Sequence, residues 1–300
     1  MRFTFFVLLV STLFYACGSD GGLVKTKLGN RYTLYPANGT GEQVAAGDFV
    51  YFHAAMRSER DSVLFSTRQG GGQQPVIQAA GDDASAAEIG PVEDVLREMR
   101  VGDSAVVRVN IEGFPSKPPG MNNDTVVLYD VVVTEIISEE AFTERKAAED
   151  AEREEARAAV RALEQERLDF AAEVVNNYNA GSLNDDLQTT PSGLKYVIHE
   201  EGNGPQAEAG RGVVVQYIGQ TTSDGNVFDQ SFGRGEGIPF QLGTGRVIPG
   251  WDEGIALFKQ GTRATLFIPS ELGYGAQGTP DGSIPPNSEL AFYIELEEVQ

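Results

Sequence analysis

The C-terminal part of the chain carries an uncommon set of aromatic residues in a glycine-rich frame. Tyr217 lies in Val215-Gln216-Tyr217-Ile218-Gly219, and Phe228-Asp229 closes Asp224-Gly225-Asn226-Val227-Phe228-Asp229. Phe240 sits in Pro239-Phe240-Gln241-Leu242-Gly243. Val247-Ile248-Pro249-Gly250-Trp251-Asp252-Glu253-Gly254 follows, then Leu272-Gly273-Tyr274-Gly275, Ile284-Pro285-Pro286-Asn287 and Phe292. These types offer apolar ring surface, with one acid set between rings. Covalent chemistry is not on offer, because Ser231 and Ser270 have no visible base. The sequence holds two histidines, His53 and His199, and one cysteine, Cys17. A histidine-based triad and a transition-metal site therefore both lack ligands, and no cofactor is expected. Taken singly, each residue also has a plainer reading. Phe228, Ile248, Phe292 and Trp251 serve equally well as core, Tyr274 as a turn aromatic, and Asp229 as a turn or cap residue. His199 reads as a surface residue. Their joint occurrence is what favours a site.

The elements that must position these residues are mostly strands. Val213-Val214-Val215 and residues 264–268 are β-branched or apolar runs bounded by Gly or Pro. Leu290, Phe292, Ile294 and Leu296 alternate with Ala291, Tyr293, Glu295 and Glu297, a period of two that predicts a strand with one buried face. Trp251, Ile255 and Phe258 fall at helical spacing between Pro249-Gly250 and Gly261. That pattern predicts a short helix with a glycine stop.

The same order occurs twice. Gly39-Thr40-Gly41-Glu42 parallels Gly202-Asn203-Gly204-Pro205, and Ala46-Gly47 parallels Ala209-Gly210. Phe65 then answers Phe228, Met99-Arg100-Val101-Gly102 answers Phe258-Lys259-Gln260-Gly261, and residues 126–136 answer 289–299. Two copies of one domain result, over 30–137 and 182–300. Between them, residues 138–180 contain no Pro or Gly and are rich in Ala, Glu and Arg, which predicts one helix of about 40 residues over a 138–181 linker. Val160, Leu163, Phe170 and Val174 fall near a thin apolar stripe. A solvated spacer is the favoured reading; a dimerisation or client-clamping arm, with a homodimer through the helix, is the alternative.

The net charge of −21, from 23 Lys plus Arg against 44 Asp plus Glu, sets nucleic acid aside as a partner, since phosphate binding needs clustered cations. Residues 1–17 read as a secretory leader: a basic start, a mostly apolar run over 3–14, then Tyr15-Ala16-Cys17-Gly18. The small residues flanking Cys17 resemble a bacterial lipobox, although Phe14 and Tyr15 are bulkier than usual. Lipidation at Cys17 would leave 18–29 as a flexible tether. A plain cleaved leader with an incidental cysteine is the alternative. The expected location is the cell envelope, lipid-anchored to membrane, facing the periplasm or the cell surface.

Over 185–300 the motifs closely resemble, in family order, the FK506-binding-protein (FKBP) family of peptidyl-prolyl isomerases. The resemblance implies an α+β fold: two FKBP-like domains, each a bent antiparallel sheet around a short helix, joined by a long α-helix. It implies a shallow apolar pocket between helix and sheet, walled by Tyr217, Phe228, Phe240, Val247, Ile248 and Phe292, with Trp251 as floor. It also implies that Tyr274 offers its hydroxyl to a bound carbonyl, that Asp229 is the one acid inside, and that Ile284 edges the pocket. The expected activity is cis-trans isomerisation of proline-containing unfolded or exported polypeptides, assisting the folding of envelope proteins. A non-catalytic holdase and a structural envelope lipoprotein are the rival readings. In the first copy Tyr217 answers to Ala54, Phe228 to Phe65, Asp229 to Ser66, Phe240 to Val76, Trp251 to about Val92 and Phe292 to Tyr129. The Tyr274 loop becomes Gly113-Phe114-Pro115. Core-type aromatics persist there while the pocket set is mostly replaced, so the first copy is expected to be a degenerate domain with little isomerase activity. Gly70-Gly71-Gly72 lacks the Lys-Ser/Thr of a phosphate loop and reads as a flexible turn.

Overall fold

The structure is a computed structural model that describes residues 22–37, 41–69, 74–117, 121 and 123–300. The leader reading, Cys17, residues 18–21 of the tether and Gly70-Gly71-Gly72 lie outside the described residues. The chain divides into two compact units, Met1–Ala147 and Ala148–Gln300.

The first unit contains β1 (Val24–Lys25), β2 (Arg31–Tyr35), β3 (Phe49–Ser58), β4 (Val63–Ser66), β5 (Val76–Gln78), α1 (Pro91–Leu96), β6 (Ser104–Asn110) and β7 (Val126–Ile137). Two helices follow, α2 (Glu139–Ala162) and α3 (Glu164–Asn179). The second unit continues with β8 (Gln188–Thr189), β9 (Lys195–Glu200), β10 (Gly212–Thr221), β11 (Val227–Gln230), β12 (Ile238–Gln241), α4 (Pro249–Ile255), β13 (Arg263–Ile268) and β14 (Leu290–Val299). The fold class is α+β, with one antiparallel sheet of 7 strands in each unit. The order β1-β2-β6-β7-β3-β4, with β5 on β3, is repeated as β8-β9-β13-β14-β10-β11, with β12 on β10.

The register fixes which residues correspond. Ala54 faces Val131 as Tyr217 faces Ile294, and Met56 faces Tyr129 as Gly219 faces Phe292. Thr67 N–H donates to the Ala54 carbonyl and Ser231 N–H to that of Tyr217, both at 3.0 Å. Counting back from these anchors, Asp229 is matched by Phe65 and Phe228 by Leu64, one residue off the sequence alignment. Likewise Val50 faces Ile77 as Val213 faces Phe240, so Phe240 is matched by Ile77 and not Val76. The turn after β10 is one residue longer than the turn after β3, and the offset is undone before β5; residue types alone do not reveal such a paired slip.

Two expectations about segments outside the sheets are corrected. First, the stretch read as a tether to residue 29 contributes β1, and Thr26 is buried, its hydroxyl donating to Asp94 on α1. Second, the long helix of the linker is bent at Leu163, where α2 passes into α3, and only its first part is a solvated spacer. At Leu163 the N–H turns back to the Val160 carbonyl at 3.0 Å, a tightened turn that ends α2. The two helices also differ in environment. No residue of α2 is buried; in its first turns Phe142 stacks on Phe49 and Arg145 pairs with Glu135 at 2.7 Å. By contrast α3 is no solvated spacer, because Arg167, Ala171, Val174 and Val175 are buried on it. Ala171, with Val160, Leu163 and Leu168 beside it, packs on Ile218, Phe232 and Tyr293. Val174 and Val175 pack on Val197, Phe267 and Ala291.

The alternation along β14 thus buries both faces. Leu290, Phe292, Ile294 and Leu296 point into the main core with α4, while Ala291 and Tyr293 lie beneath α3. Arg167 reaches through to Glu295 at 2.5 Å, and Tyr293 donates to the same carboxylate at 2.7 Å. His199 is part of this seam and not a free surface residue. Its ring meets Phe170 edge-on at 4.9 Å, its Nε2 lies 2.8 Å from Thr265 Oγ1, and burial holds its pKa down to about 4.

The neutral imidazole is the form the fold accepts, so between about 6.5 and about 4 the unfolded chain binds the extra proton. His199 therefore contributes stability that is present above that window and lost as pH falls through it. A His199→Gln variant should lose less of its melting temperature than the wild type between pH 7 and pH 4.5, with the two curves parallel above pH 7. Parallel curves throughout would contradict this account.

Candidate functional site

The aromatic residues converge in the core of the second unit. Extended β10 presents Tyr217 to the side of the sheet on which α4 lies, and β14 presents Phe292 beside it. On α4, Pro249 occupies the first turn, where its missing N–H leaves no bond unmade. Gly250 lets the helix approach β13, since a β-carbon there would stand 2.5 Å from Ile268 Cγ2. This close seat sets Trp251 under the other rings. Trp251 meets Tyr217 at 5.1 Å and Phe292 at 5.2 Å, both nearly perpendicular, and Phe240 at 5.8 Å. Phe292 in turn meets Phe228 edge-on at 5.5 Å. Edge-to-face pairs of this kind align the positive ring edge with the negative ring face, so the rings hold one another in place.

The burial gradient distinguishes floor from rim. Trp251, Tyr217, Phe240, Ile284 and Phe292 are buried, whereas Phe228, Val247 and Ile248 are half-buried against them. Ile284, at 3 % exposure, belongs to the same buried cluster as the rings and anchors the long loop that carries Tyr274. Tyr274 itself is 41 % exposed, and its pKa is raised by burial of part of the ring and then by the nearby charge of Asp229. Trp251 Nε1 is buried and donates to no group among the described residues. A buried donor without a partner costs free energy.

Asp229 is placed differently from the expectation. It stands beside the ring cluster with about half of its side chain exposed. The Tyr217 hydroxyl donates to one carboxylate oxygen. Arg234 Nη1 donates to the other at 2.9 Å, and Arg234 Nη2 donates to the Tyr217 hydroxyl at 2.8 Å. The guanidinium also lies over the Tyr217 ring. Burial and then the bond to Asp229 push the Tyr217 hydroxyl up to about 12, against the opposing pull of Arg234. The phenol therefore stays protonated and acts as a fixed donor. Arg234 was missed in the sequence because an arginine after a Ser-Phe-Gly turn has no pattern of its own. Asp252 was missed too: from α4 it accepts the N–H groups of Gly243 and Gly245 at 2.8 and 3.0 Å, and so ties down the loop leading to Val247 and Ile248. Ser231 is buried, accepting the Tyr217 N–H at 2.8 Å and donating to Gln216, which is a structural role.

The arrangement offers a cluster of mutually packed rings, half-buried apolar side chains around it, and an ion pair bonded to the Tyr217 hydroxyl at its edge. It can grip a compact apolar ring and orient a carbonyl; no group in it is placed to form a covalent bond. Comparison with known proteins bears on this same region. The family described as FKBP-type peptidyl-prolyl cis-trans isomerase matches residues 204–297. The FK506-binding protein 1B of Neurospora crassa is 44 % identical over 114 residues, which cover 36 % of this chain and 99 % of that protein. The FKBP-type peptidyl-prolyl cis-trans isomerase FkpA of Escherichia coli is 45 % identical over 114 residues, covering 38 % of this chain and 40 % of that one. The crystal structure of FkpA from Escherichia coli aligns with 34 % identity and a TM-score of 0.38, covering 55 % of this chain and 74 % of that one.

Tyr217→Phe removes the hydroxyl that joins Asp229 to Arg234. Both ions face water, so the loss should be about 1 kcal/mol of unfolding free energy, at the low end for a bond to a charged group. Denaturant unfolding followed by Trp251 emission measures it, and a loss below about a third of that would show the triad to be idle.

Proposed function

Because the chain belongs to the FKBP-type peptidyl-prolyl cis-trans isomerase family, we propose that its second unit accelerates rotation about X-Pro bonds, with the ring-walled hollow over Trp251 as the place where this happens. The observation that carries the reading is the mutual packing of Tyr217, Phe240, Trp251 and Phe292, with Phe228, Val247 and Ile248 half-buried around them.

Resonance makes the amide planar and sets a barrier of about 18–20 kcal/mol to its rotation. At the top of that barrier conjugation is lost and the carbonyl is less polar. An apolar enclosure therefore destabilises the planar amide relative to the twisted one, which is the differential binding that speeds a reaction. In this reading Trp251 is the floor for the proline ring and the surrounding side chains are its walls. Tyr274 donates to a carbonyl of the bound peptide. Asp229, held by Tyr217 and Arg234, orients the peptide at the mouth without transferring a proton. Each tenfold in rate corresponds to about 1.4 kcal/mol of such discrimination, a magnitude that ring contacts of about 0.5–1.5 kcal/mol each can supply together.

The finer reading is that the substrates are unfolded, proline-containing polypeptides exported to the cell envelope, with the chain anchored to a membrane through Cys17. Its support is the apolar run before Ala16-Cys17-Gly18. A second reading, a holdase in which the first unit grips unfolded chains, is favoured by one observation: Val63, Phe65 and Phe114 are each more than half exposed there, with Leu64 beside them.

With a proline tetrapeptide and exchange spectroscopy as the assay, the full chain should speed isomerisation. Trp251→Ala should lower kcat/KM by at least about tenfold and Tyr274→Phe by about threefold, since a floor contact outweighs one hydrogen bond. No acceleration by the wild type would overturn the enzymatic reading. Suppression of client aggregation that survives Trp251→Ala but is lost in a Leu64→Ser/Phe65→Ser double variant would assign holding to the first unit. Mass spectrometry of the mature N-terminus in a native host should find acylated Cys17; an unmodified terminus would refute the anchor.

A further inference from the structure

One residue of β10 has no side chain where the rings crowd most. Gly219 stands opposite Phe292 on β14 and opposite Asp229 on β11, and the pairing with β11 shifts immediately after it. A β-carbon at 219 would lie 2.7 Å from Phe292 Cε1, 2.7 Å from Phe228 Cε2 and 2.8 Å from Phe228 Cζ, closer than carbon atoms can pack. Gly219 is not among the glycines with positive φ, so the backbone would accept another residue. What the position demands is space. That space is taken up by the edges of Phe228 and Phe292, which meet at 5.5 Å and 79° above the strand. Phe292 passes the contact on to Trp251 at 5.2 Å.

The internal repeat holds the alternative. Met56 occupies the same place, opposite Tyr129 on β7 and opposite Phe65 on β4. Met56 and Tyr129 pack side by side against Ile111, Met121 and Val127. A thioether side chain stands at the position where the second unit has no side chain.

We propose that Gly219 is a positioning residue for the hollow: its missing side chain lets Phe228 and Phe292 close over the strand as walls, and Met56 withholds that arrangement from the first copy. The effect on activity rests on the isomerase reading above; the placement of the rings does not.

The test uses the full chain with Gly219→Ala and with Gly219→Ala/Phe228→Leu. The added methyl group overpacks the site, so kcat/KM on the proline tetrapeptide should fall at least about tenfold, through kcat as well as KM, because displaced walls lose both their grip and their preference for the twisted amide. Trp251 is the sole tryptophan, so its emission should shift while far-ultraviolet dichroism stays as in the wild type. Phe228→Leu in the alanine background should recover at least about threefold by freeing the volume of one ring edge. An unchanged emission in folded Gly219→Ala overturns the inference, whatever the activity. So does a kcat/KM within about twofold of an active wild type. If the single variant does not fold, the double variant decides: restored folding and a recovered emission support the steric assignment, and continued unfolding overturns it. A wild type without isomerase activity sinks the functional reading alone, since the emission arm still decides where the rings sit.

Discussion

The second unit depends on two strands being buried on both faces. β10 and β14 press one face on α4 and its tryptophan, and the other on α3. A sheet covered on one side only has a free back, and its side chains relax toward water. Here Ile218 and Tyr293 are clamped behind Tyr217 and Phe292, their neighbours in sequence. Tyr217 and Phe292 therefore each sit on a strand that cannot tilt without opening a gap against the helix behind it, and gaps in dense packing are costly. The salt link from Arg167 to Glu295 completes the seam with a charge pair that is itself mostly shielded from water.

The two units show how little of a fold is needed to decide what it does. Strand order, bulge position and the hydrogen bonds from Thr67 and Ser231 to Ala54 and Tyr217 are shared. The lining is not. Where the second unit sets Tyr217, Phe228, Asp229, Phe240 and Trp251, the first sets Ala54, Leu64, Phe65, Ile77 and Val92. The ion pair at the mouth has become an exposed phenylalanine, and the tryptophan under the floor has become a valine. The backbone scaffold tolerates both sets because its hydrogen bonds do not involve the side chains that differ.

Much of this was legible in the residues. The alternation at 290–296, the Pro-Gly start and Gly stop around α4, and the repeat of Ala-Gly and Met/Phe-x-x-Gly signatures are local patterns with local physical causes. They predicted the strand, the short helix and the duplication. What escaped was whatever depends on distant partners. The bend at Leu163 falls where Val160 and Leu163 pack against the cluster of Ala171, Ile218, Phe232 and Tyr293, and no helix breaker marks it. The thin stripe on the linker looked too sparse to bury because it omitted Arg167 and Ala171, one a charge and the other small. Asp229 was expected inside because its neighbours are rings; only the reach of Arg234 from the following turn shows why it faces outward. The off-by-one match of Phe65 and Asp229 has the same origin, since compensating insertions in two turns leave no trace in residue type.

The seam between α3 and the sheet also sets where the catalytic half can be cut away. A recombinant piece begun at residue 182, where the repeat itself begins, would shed α3 and lay bare Ile218, Phe232, Phe267, Ala291 and Tyr293 as one greasy sheet back, the kind of surface that drives precipitation. The self-sufficient piece starts upstream of Val160, and the helix that looks like a connector belongs, for purposes of solubility, to the body it follows into.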